Sequence, residues 1–177
     1  MDGYYMKTLI KKAKKGDSKA FGQLYSQCSM ELYRFALYIL KNHADAEDAV
    51  QNAAISAFGK IGTLKKDDSF RAWFFRILYN ECLKISGSRA RKNEISTEDF
   101  FIQDEEIPDI TRESDALSLL EGLSENDRAV IVLSVLEDYT SAEISEILGI
   151  PSATVRSKLS RLLLKLRKQI EGESYEK

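Results

Sequence analysis

Residues 140–161 constrain the fold of this chain more than any other stretch. Thr140 and Glu143 have the spacing of a capping box, so a helix is predicted to start there. Ile144, Ile147 and Leu148 fall on one face of that helix. Gly149 follows the last apolar residue, where a helix end often turns left-handed. Pro151 forbids a simple continuation, and Ser152 or Thr154 can cap a second helix. Val155, Leu159, Leu162, Leu163 and Leu166 supply that helix with a predicted buried stripe. Arg156, Ser157, Lys158, Ser160 and Arg161 fall largely off it. Two helices joined in this way form a helix-turn-helix, which sets one helix in the major groove of DNA.

An ordinary helical hairpin with a solvated face would show charges of both signs. Between Ser152 and Lys168 the charged residues are Arg156, Lys158, Arg161, Lys165, Arg167 and Lys168, all basic. One-signed charge after a glycine-proline turn favours DNA. The net charge of -2 hides this. Glu94, Glu98, Asp99, Asp104, Glu105, Glu106, Asp109, Glu113 and Asp115 stand against Arg112 alone and offset basic segments on either side. One of those segments is Lys84, Arg89, Arg91 and Lys92.

A length of 177 residues allows one domain or two small ones, and 44% hydrophobic with 31% charged residues is a folded soluble composition. Two prolines and nine glycines leave room for an all-α chain. A short helix is predicted from about Tyr5 to Lys15, ended by Gly16, with Asp17 capping the next. Phe21, Leu24, Tyr25, Cys28, Leu32, Phe35, Ala36 and Ile39 then recur at helical steps through Leu40. Asn42-His43 makes a break, and Asp45 is predicted to cap a third helix with Asp48 at the reciprocal position. Ala46, Ala49, Val50, Ala53, Ala54, Ala57 and Phe58 give it an apolar face. A polar loop, Gly62 to Ser69, leads to an aromatic helix from Phe70 to Ile85.

Periodicity then fades. Residues 91–114 read as a flexible acidic linker, interrupted by the apolar triplet Phe100, Phe101 and Ile102. The expected organisation is a helical domain over 1–90, that linker, and a second small helical domain over 115–177. The second domain opens with a helix from Ala116 to Glu121. Ser124 then caps another, packed through Ala129, Val130, Val132, Leu133 and Leu136.

The chemistry of catalysis is missing its parts. His43 is the only histidine, and no glycine-rich phosphate loop, metal-ligand cluster or nucleophile–base pair is visible. Cys28 and Cys82 sit among apolar neighbours and read as reduced and buried. No secretory signal and no apolar run of ~20 residues is present, so a cytoplasmic protein without membrane insertion is expected. No metal, cofactor or small-molecule substrate is expected.

Four motifs occur in a fixed order: Asp45-Ala-Glu-Asp-Ala-Val-Gln51, Phe70-Arg-Ala-Trp-Phe-Phe-Arg-Ile-Leu-Tyr-Asn80, Glu143-Ile-Ser-Glu-Ile-Leu-Gly149 and Thr154-Val-Arg-Ser-Lys-Leu-Ser-Arg161. Together they resemble the small bacterial sigma factors of the extracytoplasmic-function (ECF) type over nearly the whole chain, with region 2 on the first domain and region 4 on the second. The resemblance implies a protein that binds core RNA polymerase, directs it to promoter DNA and helps to melt it, under control of an anti-sigma factor. It implies that Asp45, Glu47, Asp48, Val50 and Gln51 bind the polymerase. It assigns Lys65, Lys66, Arg71, Trp73, Arg76, Asn80 and Lys84 to the -10 element, captured as it opens. Ser152, Thr154, Arg156, Ser157, Lys158 and Arg161 would read the -35 element as duplex.

The residue types suit these tasks. Acidic and amide groups fit a basic helical partner. Asn80 can donate and accept toward a base edge. Of Trp73, Phe74 and Phe75, at least two are expected in the core. Two positions depart from the common pattern: Ala153 where a glycine is usual, and Ser145 where an alanine is usual, its hydroxyl expected to bond back to a backbone carbonyl. A DNA-binding regulator of the response-regulator output type would explain the helix-turn-helix, but not the Asp45–Gln51 and aromatic motifs.

Overall fold

The computed structural model describes residues 3–93 and 118–173. The acidic segment and the Phe100–Ile102 triplet lie outside them, as do the first two residues of the helix expected over Ala116–Glu121; Ser118 and Leu119 are helical, and a turn begins at Leu120. The described residues contain eight helices and no strand. In chain order these are α1 Gly3–Ala13, α2 Ser18–Ser26, α3 Ser29–Leu40, α4 His43–Lys60, α5 Phe70–Asn93, α6 Glu125–Ile131, α7 Ser141–Leu148 and α8 Ser152–Glu173. Short 3₁₀ turns, Ile61–Thr63 and Asp67–Ser69, form the link before α5.

Local signals place the helix ends. Gly16 stands at φ +92° after α1, and the Asp17 carboxylate accepts from Ala20 N at 3.0 Å to start α2. The apolar run from Phe21 to Leu40 is two helices, not one. The chain breaks at Gln27–Cys28, yet Leu24, Cys28 and Leu32 all remain buried, so the four-residue step survives the break. α4 begins two residues before the expected cap. Asn42, not Asp45, is its N-cap, and the Asn42 side-chain oxygen accepts from Asp45 N at 2.9 Å. Asp45 is instead a first-turn acid, favoured there by the helix dipole.

α5 continues to Asn93, past Ile85 where the apolar periodicity stops. Tertiary partners support the extension. Ser86 donates to the Glu125 carboxylate, and Arg89 pairs with Asp45 at 2.9 Å.

The two halves of the chain share one apolar core. Phe35, Phe70, Phe74, Phe75 and Leu78 from the N-terminal half are fully buried in the same cluster as Leu133, Ile144 and Ile147 from the C-terminal half. α5 packs on α7, and α3 packs on α6. Phe75 meets Phe35 edge-on at 5.2 Å and Tyr139 at 5.5 Å, so one ring touches both halves.

The predicted packing of the C-terminal half holds with two exceptions. Ala129, Val130, Val132 and Leu133 are buried, but Leu136 is 48% exposed. Residues Val132–Leu136 form a wide π turn that swings it outward. In α8 the Leu162-Leu163-Leu164 run can point only one residue inward. Leu162 is buried, whereas Leu163, expected in the stripe, is 44% exposed.

Burial pushes both thiols up to about 12, with Arg71 partly opposing it at Cys28 and Glu125 adding to it at Cys82. Both cysteines are free and buried, so thiolate chemistry at neutral pH is suppressed. No described helix is long and apolar enough to cross a membrane.

Candidate nucleic-acid and polymerase interfaces

The helix-turn-helix is built as its sequence dictates. Thr140 Oγ1 accepts from Glu143 N at 3.3 Å, and the Glu143 carboxylate accepts from Thr140 N at 2.9 Å, a complete capping box. The Thr140 hydroxyl also donates to that carboxylate at 2.7 Å, and this bond, with the one from Thr140 N, holds the Glu143 carboxyl below its ordinary range. Replacing Thr140 by Ala is expected to cost about 1 kcal/mol. A urea melt of the variant should show it as a lower midpoint with an unchanged m value.

α7 ends at Gly149, φ +70°, a left-handed position that disfavours side chains. Ser145 Oγ donates to the Ile150 carbonyl at 2.6 Å. The expected carbonyl bond therefore runs forward across the turn rather than back along the helix, and it ties α7 to the entry of α8. α8 starts at Ser152, and the Pro151 carbonyl accepts from Val155 N at 3.0 Å.

Along α8 the expected base-reading residues divide. Arg156, Ser157 and Arg161 are exposed. Arg156 reaches only the Ser152 hydroxyl, at 3.5 Å, which leaves the guanidinium available. Ser157 Oγ donates to its own helix at Thr154 O, 3.0 Å. Ser152 and Thr154 are half-buried in the first turn. Lys158 is also half-buried, and its ammonium donates to Asp127 Oδ1 of α6 at 2.6 Å. Burial alone would raise the Asp127 carboxyl. Bonds from Lys158 and Ser124, with the charges of Lys158 and Arg161, outweigh that and hold it below its ordinary range. The stabilisation is therefore present at neutral pH and fades as pH falls through the lowered value. The structure uses Lys158 to brace α8 on α6. Ala153 is exposed on a regular helical turn, where a Cβ is accommodated.

In the N-terminal half, Arg76, Asn80 and Lys84 are exposed at four-residue steps along α5. Half-buried Trp73 lies at the head of the same stripe, against Phe70 at 6.1 Å. Phe74 and Phe75 are core, as expected. Arg71 is not on this stripe. At ~100° per residue it aligns with Phe75, Leu78 and Cys82, and it pairs with Glu31 of α3 at 2.6 Å. Lys65 and Lys66 are exposed between the two 3₁₀ turns. That link is fixed to α1 by Lys7–Asp68 at 3.2 Å and to the turn after α1 by Lys14–Asp67 at 2.8 Å.

The Asp45–Gln51 motif borders a cleft of about 260 Å³ between α2, α3 and α4, lined by Tyr25, Ser29, Met30, Tyr33, Glu47, Val50 and Gln51. Glu47 and Gln51 are exposed at i, i+4, while Val50 is 5% exposed and forms the floor. Asp48 is exposed beside the cleft. Asp45 is half-buried in its ion pair with Arg89. Sequence reasoning missed the opposite wall. Tyr25, Ser29 and Tyr33 repeat every four residues beside the buried Leu24, Cys28 and Leu32, a boundary stripe that could have marked them. Tyr33 is hydrogen-bonded to His43 Nδ1 at 2.6 Å.

These features define a helical protein with a cleft rimmed by Glu47 and Gln51 on one half and an intact helix-turn-helix on the other. The family model described as Sigma-70 region 2 matches residues 24–93, and that described as Sigma-70, region 4 matches residues 114–166. The chain is 31% identical to the ECF RNA polymerase sigma factor SigW of Bacillus subtilis, over 93% of this chain and 96% of that one. It is 28% identical to the ECF RNA polymerase sigma factor SigM of Mycobacterium tuberculosis, over 85% of this chain and 77% of that one. Among solved structures it resembles CnrH in complex with the cytosolic domain of CnrY, with TM-score 0.72 and 25% identity over 95% of this chain and 98% of that one. It also resembles the sigma factor RpoE in complex with the anti-sigma factor NepR from Bartonella quintana, with TM-score 0.73 and 25% identity over 86% of this chain and 98% of that one. The chain belongs to the ECF sigma factors of the sigma-70 family.

Proposed function

We propose that this protein is an alternative sigma factor whose residues 1–90 engage core RNA polymerase and the -10 element and whose residues 115–177 read the -35 element. It would work in the cytoplasm and catalyse no bond making itself. The observation that carries the reading is a pair of exposed basic faces on separate halves: Arg76, Asn80 and Lys84 on α5, and Arg156, Ser157 and Arg161 on α8. Each can meet phosphate and base edges, and their placement on different halves of the chain gives each its own DNA element.

Glu47 and Gln51, at the rim of the α2–α4 cleft, offer carboxylate and amide acceptors above the buried Val50, with Tyr25 and Met30 as apolar lining beside it. A basic amphipathic helix of the polymerase fits that combination, and an anti-sigma helix would compete for it. Lys65, Lys66 and Trp73 stand near the α5 stripe for phosphate contact and base stacking. Arg71 is left to a structural pair and Lys158 to a brace.

The test is run-off transcription on a genomic fragment library with purified bacterial core polymerase. Transcripts from discrete start sites should appear only when this protein is added. Sequence-specific DNA binding without transcripts, in an assay where a control sigma factor is active, would return the reading to an ordinary helix-turn-helix regulator.

A further inference from the structure

We propose that the solvent face of α1 is a further nucleic-acid surface, which holds the unpaired promoter strand next to the -10 element. The proposal rests on the sigma-factor reading above. It extends that reading to residues outside the matched segments 24–93 and 114–166.

Between Gly3 and Lys19 stand six lysines, Lys7, Lys11, Lys12, Lys14, Lys15 and Lys19, against Asp17 alone. The Asp17 carboxylate is occupied as the N-cap of α2. α1 turns its apolar side to the core, where Leu9, Ile10 and Ala13 are buried. At ~100° per residue, Tyr4, Lys11 and Lys15 fall within about 40° of one another on the opposite side. All three are exposed, Tyr4 at 85%, and the exposed Lys12 flanks them.

A solvated helix face usually mixes both signs, and this one does not. At one edge Lys7 and Lys14 pair with Asp68 and Asp67 of the link before α5. Those pairs neutralise the edge and seat the link beside the lysine face. No described carboxylate pairs with Lys11, Lys12 or Lys15. The exposed Lys65 and Lys66 directly precede Asp67. The basic surface therefore runs from α1 into the residues assigned above to the -10 element.

Two features select the ligand. An exposed ring among lysines matches the stacking platform and cationic track of single-strand binders, and it gains little from a duplex whose base faces are already stacked. An anionic membrane would require a free apolar side on the helix, and that side of α1 is buried in the core.

The test compares wild type with K11A/K12A/K15A in complex with core polymerase. One promoter fragment is premelted next to the -10 element and another is kept as closed duplex. On the premelted fragment the triple variant should bind at least about tenfold more weakly, with a salt slope less steep by about 2. Tyr4→Ala should weaken the same complex about fivefold, and Tyr4→Trp should not. Both variants should match wild type on the closed duplex. The substituted lysines hold no ion pair, so thermal melts should also match.

Equal binding of wild type and the triple variant to the premelted fragment would overturn the proposal. An equal loss on both fragments would also overturn it, because the face would then serve duplex. So would lysine-dependent sedimentation with phosphatidylglycerol vesicles alongside unchanged DNA binding, which would assign the face to anionic lipid. If wild type forms no promoter complex with polymerase on either fragment, the sigma-factor reading falls. Titration of the free chain with a fluorescent oligothymidine at low salt then decides the face by itself. The triple variant should bind at least about tenfold more weakly than wild type, and equal binding, or none by wild type, would overturn the proposal.

Discussion

Phe75→Ala should lower the stability of this protein by about 3–5 kcal/mol, the usual loss for a fully buried phenylalanine in a packed core. For a chain of this size that is a fall of roughly 6–20 °C in melting temperature. Phe75 is 0% exposed, and its ring is shared between Phe35 of α3 and Tyr139 of the loop before α7. Truncation leaves a cavity at the point where the halves meet, and neither half can fill it without sliding on the other. Phe74 is an internal control. It is equally buried, but its ring partners Phe21, Tyr25 and Phe70 all belong to the N-terminal half. Hydrogen exchange separates the two cases. Phe75→Ala should accelerate exchange of the α7 amides, while Phe74→Ala should act mainly on α2 and α5. A loss below about 1 kcal/mol for Phe75→Ala would mean that the shared core is not a cooperative unit.

What the sequence made legible follows the range of each interaction. The helix-turn-helix could be read because its signals are local. The Thr140–Glu143 box spans three residues, and the left-handed Gly149 is fixed by the turn itself. Asp17 and Ser124 were readable as caps for the same reason. The start of α4 was missed because Asn42 and Asp45 both satisfy the local rule, and only the tertiary fold decides between them. The break at Cys28 was invisible because burial at Leu24, Cys28 and Leu32 keeps one period across two helices. Beyond Ile85, α5 has Ser86, Gly87 and Ser88, poor helix formers whose order depends on Glu125 and Asp45 far along the chain.

The seam between the halves was the least legible feature. Nothing in Asn126-Asp-Arg-Ala129 separates a buried arginine from a solvated one. The Ile39 carbonyl that receives Arg128 lies 89 residues away. The same limit applies to the candidate sites. Exposed Arg76, Asn80 and Arg156 followed from helical spacing. That Arg71 and Lys158 would be held by Glu31 and Asp127 could not be read from residue type or spacing.

That division of the cations sets up the largest functional effect expected in the C-terminal half. Arg156→Ala should weaken binding to the -35 element by about 1–3 kcal/mol, or roughly 5- to 150-fold, and relax the preference at one base pair. Its guanidinium is exposed one turn into α8 and held only by a 3.5 Å contact to Ser152, so little must be broken before it meets a guanine edge bidentately. Lys158→Ala should behave differently, although the charge lost is the same. Its ammonium is committed to Asp127 at 2.6 Å, and removing it leaves that half-buried carboxylate without its counter-ion. The Asp127 pair accumulates its stabilisation above the ordinary carboxylate range and loses it as pH falls. Lys158→Ala should therefore reduce stability at pH 7 and converge with wild type in acid, while base preference stays unchanged. Electrophoretic shifts on a single-substitution -35 series, paired with melts at pH 7 and pH 3, separate the two roles. If Lys158→Ala altered base preference and left stability intact, the brace would be wrong and Lys158 would join Arg156 on the reading face. If Arg156→Ala left both affinity and preference unchanged, the exposed face of α8 would not be the surface that reads DNA.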